Sequence, residues 1–145
     1  MKKKAGVASD HAGYDMKEFI AGYLASRDYE IFDYGCVSQE SCDYPDYAHA
    51  LAEGIEQGEV EFGIALCGTG AGMTMTLNKH RDIRAGLAWI PEVGELLKRH
   101  NNANVLVLPA RFITNDEALE IVKSFLEATF EEGRHARRIE KIAIG

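Results

Sequence analysis

The chain is short of cysteine, of net positive charge and of long apolar runs, and each shortage excludes a class of protein. Cys36, Cys42 and Cys67 are its only cysteines, an odd number in a chain too large to need stapling. Cys36 and Cys42 are near enough in sequence to meet, but a disulfide framework needs more pairs and a secretion signal. Their spacing is not that of a zinc knuckle, and no second Cys/His pair stands in register with them. Structural zinc is therefore not expected. Sixteen Lys plus Arg face 23 Asp plus Glu, a formal charge of -7, whereas a general nucleic-acid or anionic-membrane binder would be basic overall. An anionic small molecule stays open, because its site needs only a few well-placed cations. No stretch approaches the roughly 20 apolar residues of a membrane span. Residues 1–4 are basic, but the apolar run after them is too short and too polar for a secretory signal core, so a cytoplasmic protein is expected.

What is present is a pattern. With 145 residues, 46% hydrophobic and 27% charged, the chain has the size and composition of one compact domain spanning 1–145. Apolar runs at 4–8, 29–33, 62–66, 84–89 and 104–108 read as buried strands. Between them, 15–26, 46–57, 73–80, 92–100 and 116–128 show helical spacing, and a short extra helix is expected near 133–141. In the first helix Met16, Phe19, Ile20, Tyr23 and Leu24 share a face. Thr114, Asn115 and Asp116 form a cap cluster before the last long helix. Strands alternating with helices predict an α/β fold: one doubly wound, Rossmann-like domain with a five-stranded parallel sheet and helices on both faces. Ligands on such sheets bind beyond the carboxyl ends of strands, near the switch in strand order.

The residues just after the strands are accordingly the ones to weigh. Cys67-Gly68-Thr69-Gly70-Ala71-Gly72 closes the third strand and opens a helix. Alternate glycines let the backbone turn sharply and aim successive N–H groups into one concavity, suited to a phosphate or an oxyanion. The spacing is neither the dinucleotide nor the P-loop fingerprint, and a glycine-rich packing turn is the plainer reading. Cys67 is either a thiolate served by those amides or a small buried hydrophobe. Ser9-Asp10-His11-Ala12-Gly13 follows the first strand, as a carboxylate–imidazole pair or as a helix cap beside a solvent-facing histidine. His100-Asn101 precedes the last strand, where a histidine at a helix end and a turn-forming asparagine are equally plain. In Gly133-Arg134-His135-Ala136-Arg137-Arg138 the pair Arg134 and Arg138 share a helix face and suit one phosphate, or pair with Glu131, Glu132 and Glu140. Tyr44, beside Pro45, lines a sugar pocket or simply packs. Together these elements suit a phosphorylated polyol, with arginines on the phosphate, a thiol moving a proton and a nest holding an enediolate. No metal or cofactor motif is apparent.

Taken in order with Asp43-Tyr44-Pro45, Met73 and Asn78-Lys79, these motifs resemble the family of type B ribose-5-phosphate isomerases and galactose-6-phosphate isomerase subunits, over about residues 4–139. The resemblance implies an isomerase without metal or cofactor that interconverts D-ribose 5-phosphate and D-ribulose 5-phosphate in the non-oxidative pentose phosphate pathway. It implies Cys67 as the base moving a proton between C1 and C2, with Thr69 and His100 assisting ring opening and Asp10 on the ring oxygen or hydroxyls. Amides of Gly68, Gly70, Ala71, Gly72 and Met73 would hold the enediolate. His11, Arg134 and Arg138, joined by Arg111, would hold the phosphate, and Asn101 and Tyr44 would orient the sugar. Some relatives carry serine for the cysteine and a glutamate a few residues on; Cys67 and the non-acidic Ala71 favour the cysteine branch. The resemblance also implies a homodimer or homotetramer with shared active sites, in which His100, Asn101 and Arg111 reach Cys67 of the neighbouring subunit. His49, His80 and His135 are expected at solvent-facing or capping positions. Two other functions fit: an isomerase of an allose, galactose or tetrose phosphate, or a non-catalytic sugar-phosphate-binding module.

Overall fold

A computed structural model describes residues 2–144. Its strands are β1 (Lys4–Ser9), β2 (Glu30–Asp33), β3 (Phe62–Cys67), β4 (Ala85–Leu87) and β5 (Val105–Pro109). A 3-10 turn over His11–Gly13 follows β1, and the helices are α1 (Tyr14–Ser26), α2 (Tyr44–Glu56), α3 (Ala71–Leu77), α4 (Pro91–Arg99), α5 (Asn115–Glu127) and α6 (Arg134–Glu140). All strand pairs are parallel, in the order β2-β1-β3-β5-β4. The doubly wound expectation holds. Strand order reverses between β1 and β3, so the crevice for a ligand opens where Ser9 pairs with Leu66.

Strand periodicity sorts the core into two layers. Ile64, Leu66, Leu106 and Leu108 pack with Ile20 and Leu24 of α1 and Ile121 and Phe125 of α5. Ala65, Cys67, Val105 and Val107 face the other way, onto Ala48 and Leu51 of α2 and Met73 and Leu77 of α3. The Cys67 side chain therefore lies on the α2–α3 face. Thr114 caps α5 in a full capping box with Glu117, as its cap cluster predicts.

Most boundaries differ from the sequence reading by one to three residues, those of β4 and α3 among them. β4 has three residues where the apolar run suggested six, because it is an edge strand paired only with β5. Trp89 and Ile90 leave the sheet at 52% and 41% exposure before Pro91 starts α4. α3 begins at Ala71, directly after the left-handed turn at Gly70, and ends at Leu77.

Candidate active site

At the carboxyl end of the sheet, Asp10 and Cys67 come out side by side. The Asp10 N–H donates to the Leu66 carbonyl at 3.2 Å, extending the β1–β3 ladder by one residue. Asp10 is nearly buried, and its Oδ1 accepts from Gly13 N at 3.0 Å, so it is a cap and a site carboxylate at once. His11 Nδ1 lies 3.3 Å from the donating Cys42 N–H, which leaves Nε2 to carry the ring proton and donate it to an anion. The Cys42 thiol stands 3.9 Å from the same nitrogen, its pKa pushed up chiefly by burial and then by the Cys36 side chain. All three cysteines are free thiols.

Cys67 is 4% exposed at the mouth of the glycine loop. Gly70 turns the chain at φ +81°, and a Cβ there would stand 2.4 Å from Leu87 Cδ1. Gly70→Ala is therefore expected to cost about 2 kcal/mol in urea denaturation and to re-aim the loop amides, lowering kcat about tenfold. The Thr69 hydroxyl accepts from Ala71 N at 3.2 Å and is exposed above the loop. Tyr44 packs its ring where a Gly72 Cβ would be, within 2.5 Å, and so walls the loop on one side. Arg111 lies on the other side: its N–H donates to Gly68 O at 3.0 Å and its side chain covers Gly68. It thus stands at its own chain's Cys67 loop, because the chain leaving β5 is tied to Cys67 and Gly68 through Ala110 N and Arg111 N.

The remaining residues form a second cluster. His100 caps the C-terminus of α4, and its ring stacks on His135 of α6 at 4.3 Å and 10°. His100, Asn101, His135 and Arg138 line one cavity of about 420 Å³. Glu131 Oε1 is 3.7 Å from His100 Nε2 and 3.6 Å from His135 Nε2, and its other oxygen pairs with Arg99. Arg99 holds the Glu131 carboxyl below its ordinary range, while burial, then His100, lower the His135 pKa. His135 is thus buried rather than solvent-facing, and Glu131 pairs with Arg99 rather than with the α6 arginines. His49 is exposed, as expected, and its Nδ1 is 2.7 Å from Nε2 of the half-buried His80, whose Nδ1 is 3.0 Å from Glu56.

These two clusters occupy opposite ends of the sheet. α4 runs back against the strands, and Asn104, four residues after His100, bonds to Arg84 and Gly63 where β4 and β3 begin. Cys67 is at the far end of β3, roughly 13 Å from Gly63 for four residues of strand. One chain therefore does not bring His100, Asn101, Arg134 or Arg138 to its own Cys67.

Known proteins share this fold. The family model described as ribose/galactose isomerase matches residues 5–142. This chain belongs to the ribose/galactose isomerase family. Ribose-5-phosphate isomerase B of Escherichia coli strain K12 is 39% identical over 140 residues, 97% of this chain and 94% of that one. The crystal structure of a ribose 5-phosphate isomerase from Thermotoga maritima superposes with a TM-score of 0.96 at 47% identity, covering 99% of both chains. Ribose-5-phosphate isomerase B from Mycoplasma genitalium, solved with bound ribulose-5-phosphate, gives 0.93 at 39% identity over 98% of this chain and 95% of that one. Glu131 and Arg99 are the site neighbours that sequence reasoning missed within this family. Their signal was weak: two ordinary charged residues 32 positions apart, brought together only by α6 folding onto α4.

Proposed function

We infer that this chain is an aldose–ketose isomerase that interconverts D-ribose 5-phosphate and D-ribulose 5-phosphate. The observation that carries the reading is the Cys67 thiol beside Asp10 at the β1/β3 switch point, at the mouth of an amide-lined loop. A relative of the same fold, from Mycoplasma genitalium, was solved with ribulose-5-phosphate bound. In the open-chain aldose, Cys67 takes the C2 proton and the electrons move to O1. The loop amides from Gly68 to Met73 stabilise the resulting enediolate, a hydroxyl proton passes from O2 to O1, and Cys67 returns its proton at C1 as C2=O2 forms. A free thiol of pKa about 8.5 is better matched to neutral pH than a carboxylate of about 4, and the acidity of the substrate carbon then depends on the nest.

His11 donates Nε2–H to the phosphate, with Arg134 and Arg138 as its cationic partners and Asn101 and Tyr44 orienting the sugar. Because His100, Asn101, Arg134 and Arg138 sit at the opposite end of the sheet, a complete site takes them from a second copy of this chain. The working unit is at least a homodimer, and the chain serves it as one sugar-phosphate isomerase domain. Among the described residues no helix is long and apolar enough to cross a membrane. Three free thiols suit the reducing cytoplasm.

The test is ribulose 5-phosphate formation from ribose 5-phosphate with EDTA present. Turnover at about 1–1000 per second is expected without added metal. An enzyme that binds ribose 5-phosphate without converting it, yet isomerises an allose or galactose phosphate, would move the reading to that sugar. Binding without turnover of any of them would leave a sugar-phosphate-binding module.

A further inference from the structure

Glu131 stands at the centre of three side chains and divides its two oxygens between them. Oε2 is taken by the Arg99 guanidinium, and the Glu131 N–H donates to Arg99 O at 2.9 Å, so this residue is pinned twice to the last turn of α4. Oε1 is left facing the Nε2 atoms of the stacked His100 and His135 rings at 3.7 and 3.6 Å. A carboxylate held this way favours the tautomer with Nε2–H toward it, and it stabilises positive charge on the ring. His135, the more buried ring, has its pKa lowered by that burial, and its ring stacked on His100 at 4.3 Å holds the His100 plane. With Nε2 turned to Glu131, Nδ1 is the nitrogen that His100 has left for a substrate. Such contacts commonly sit long in an unliganded site and tighten when substrate binds.

We propose that Glu131 is a positioning residue for sugar-ring opening, acting through His100. The proposal rests on the isomerase reading above and on His100 serving the ring. Ribose 5-phosphate is a closed furanose, so the C1–O4 bond must break as C1=O1 forms, and the proton lost by O1 must end on O4. His100 Nδ1 accepts that proton from O1 and delivers it to O4. In between, the imidazolium is paired with Glu131. Nothing is oxidised or reduced. Arg99 has a second consequence: by occupying Oε2 it keeps Glu131 from competing for Arg134 and Arg138, which stay available to the phosphate.

The substrate pair supplies its own control. Ribulose 5-phosphate cannot close to a furanose, because its C5 oxygen carries the phosphate, so its C1 proton exchange needs Cys67 but no ring opening. Glu131→Gln is expected to lower kcat on ribose 5-phosphate about tenfold with KM within about threefold. Deuterium wash-in at C1 of ribulose 5-phosphate should stay within about twofold of wild type. In a His100→Gln background the same change should add no further loss, since coupled residues are not additive. Equal losses in both assays, a KM rise on both sugars, additivity with His100→Gln, or no effect would each overturn the proposal. If Glu131→Gln does not fold, Glu131→Asp, which keeps the charge but withdraws it by one methylene, should show a smaller loss with the same selectivity; an equal loss in both assays would again overturn it. Wild-type inactivity in both assays would overturn the isomerase reading itself, and the Glu131 role with it.

Discussion

Cys67→Ala is expected to lower kcat for ribose 5-phosphate about a thousandfold while leaving its Kd within about threefold. The thiol stands beside Asp10 at the mouth of the amide-lined loop, and general-base contributions run from about a hundredfold to ten-thousandfold. The substitution should not disturb the fold. Cys67 contributes a small side chain to the α2–α3 layer, where Ala65 and Ala48 already pack. Binding should survive because the phosphate and hydroxyl contacts come from other residues, His11 and Asp10 among them. Single-turnover kinetics alongside calorimetric binding separate the two quantities. A Cys67→Ala enzyme that still turns over within tenfold of wild type would overturn the thiol-base mechanism and leave the isomerase activity standing.

Asp33→Ala should destabilise the protein by about 3 kcal/mol, because it removes the 41% exposed carboxylate that pairs with a fully buried ammonium and leaves that charge uncompensated. Lys17 on α1 is fully buried, and its Nζ bonds both Asp33 oxygens at 2.8 and 2.6 Å and the Cys36 carbonyl at 2.8 Å. Without Asp33 the ammonium keeps that carbonyl and a 3.4 Å approach to the half-exposed Glu18. Asp33 Oδ1 also accepts from Gly35 N at 2.9 Å, so its loss frees the segment that carries Cys42 to His11. A fall in Tm of about 10 °C is therefore expected, together with a raised KM as His11 loses its orienting donor. The double variant Lys17→Met/Asp33→Ala should recover most of the stability, because a methionine fills the space without a charge. A loss under about 1 kcal/mol for Asp33→Ala would show that Glu18 and solvent satisfy Lys17 unaided.

Sequence periodicity was enough for the parallel sheet. The runs at 62–66 and 104–108 became β3 and β5 with hardly a boundary moved, since both are central strands covered on two faces. The edge run at 84–89 was read too long, because an edge strand needs only one partner and ends where its apolar residues meet solvent. Around the site, Asp10, His11, Cys67 and the glycine loop were legible for a local reason: each follows a strand directly, and strand ends of a doubly wound sheet meet at the switch point.

Sequence by itself therefore determined the fold class, the crevice and the chemistry offered there, because all three follow from short-range patterns of apolar spacing, turns and glycines. The tertiary structure decided the rest. Lys17 shares the apolar face of α1 with Ile20 and Leu24 at i+3 and i+7, and its charge is held there because Asp33 and the Cys36 carbonyl converge on it from another strand and loop. His135 looked like a surface residue until α6 folded back onto α4 and stacked it on His100. Arg99 and Glu131 meet for the same reason. Such contacts carry no periodicity, because they join elements whose separation along the chain bears no relation to their distance in space. The direction of α4, with α6 folded onto it, sends His100, Asn101 and the arginines away from Cys67, and that three-dimensional placement is why the proposed site draws on a second copy of the chain.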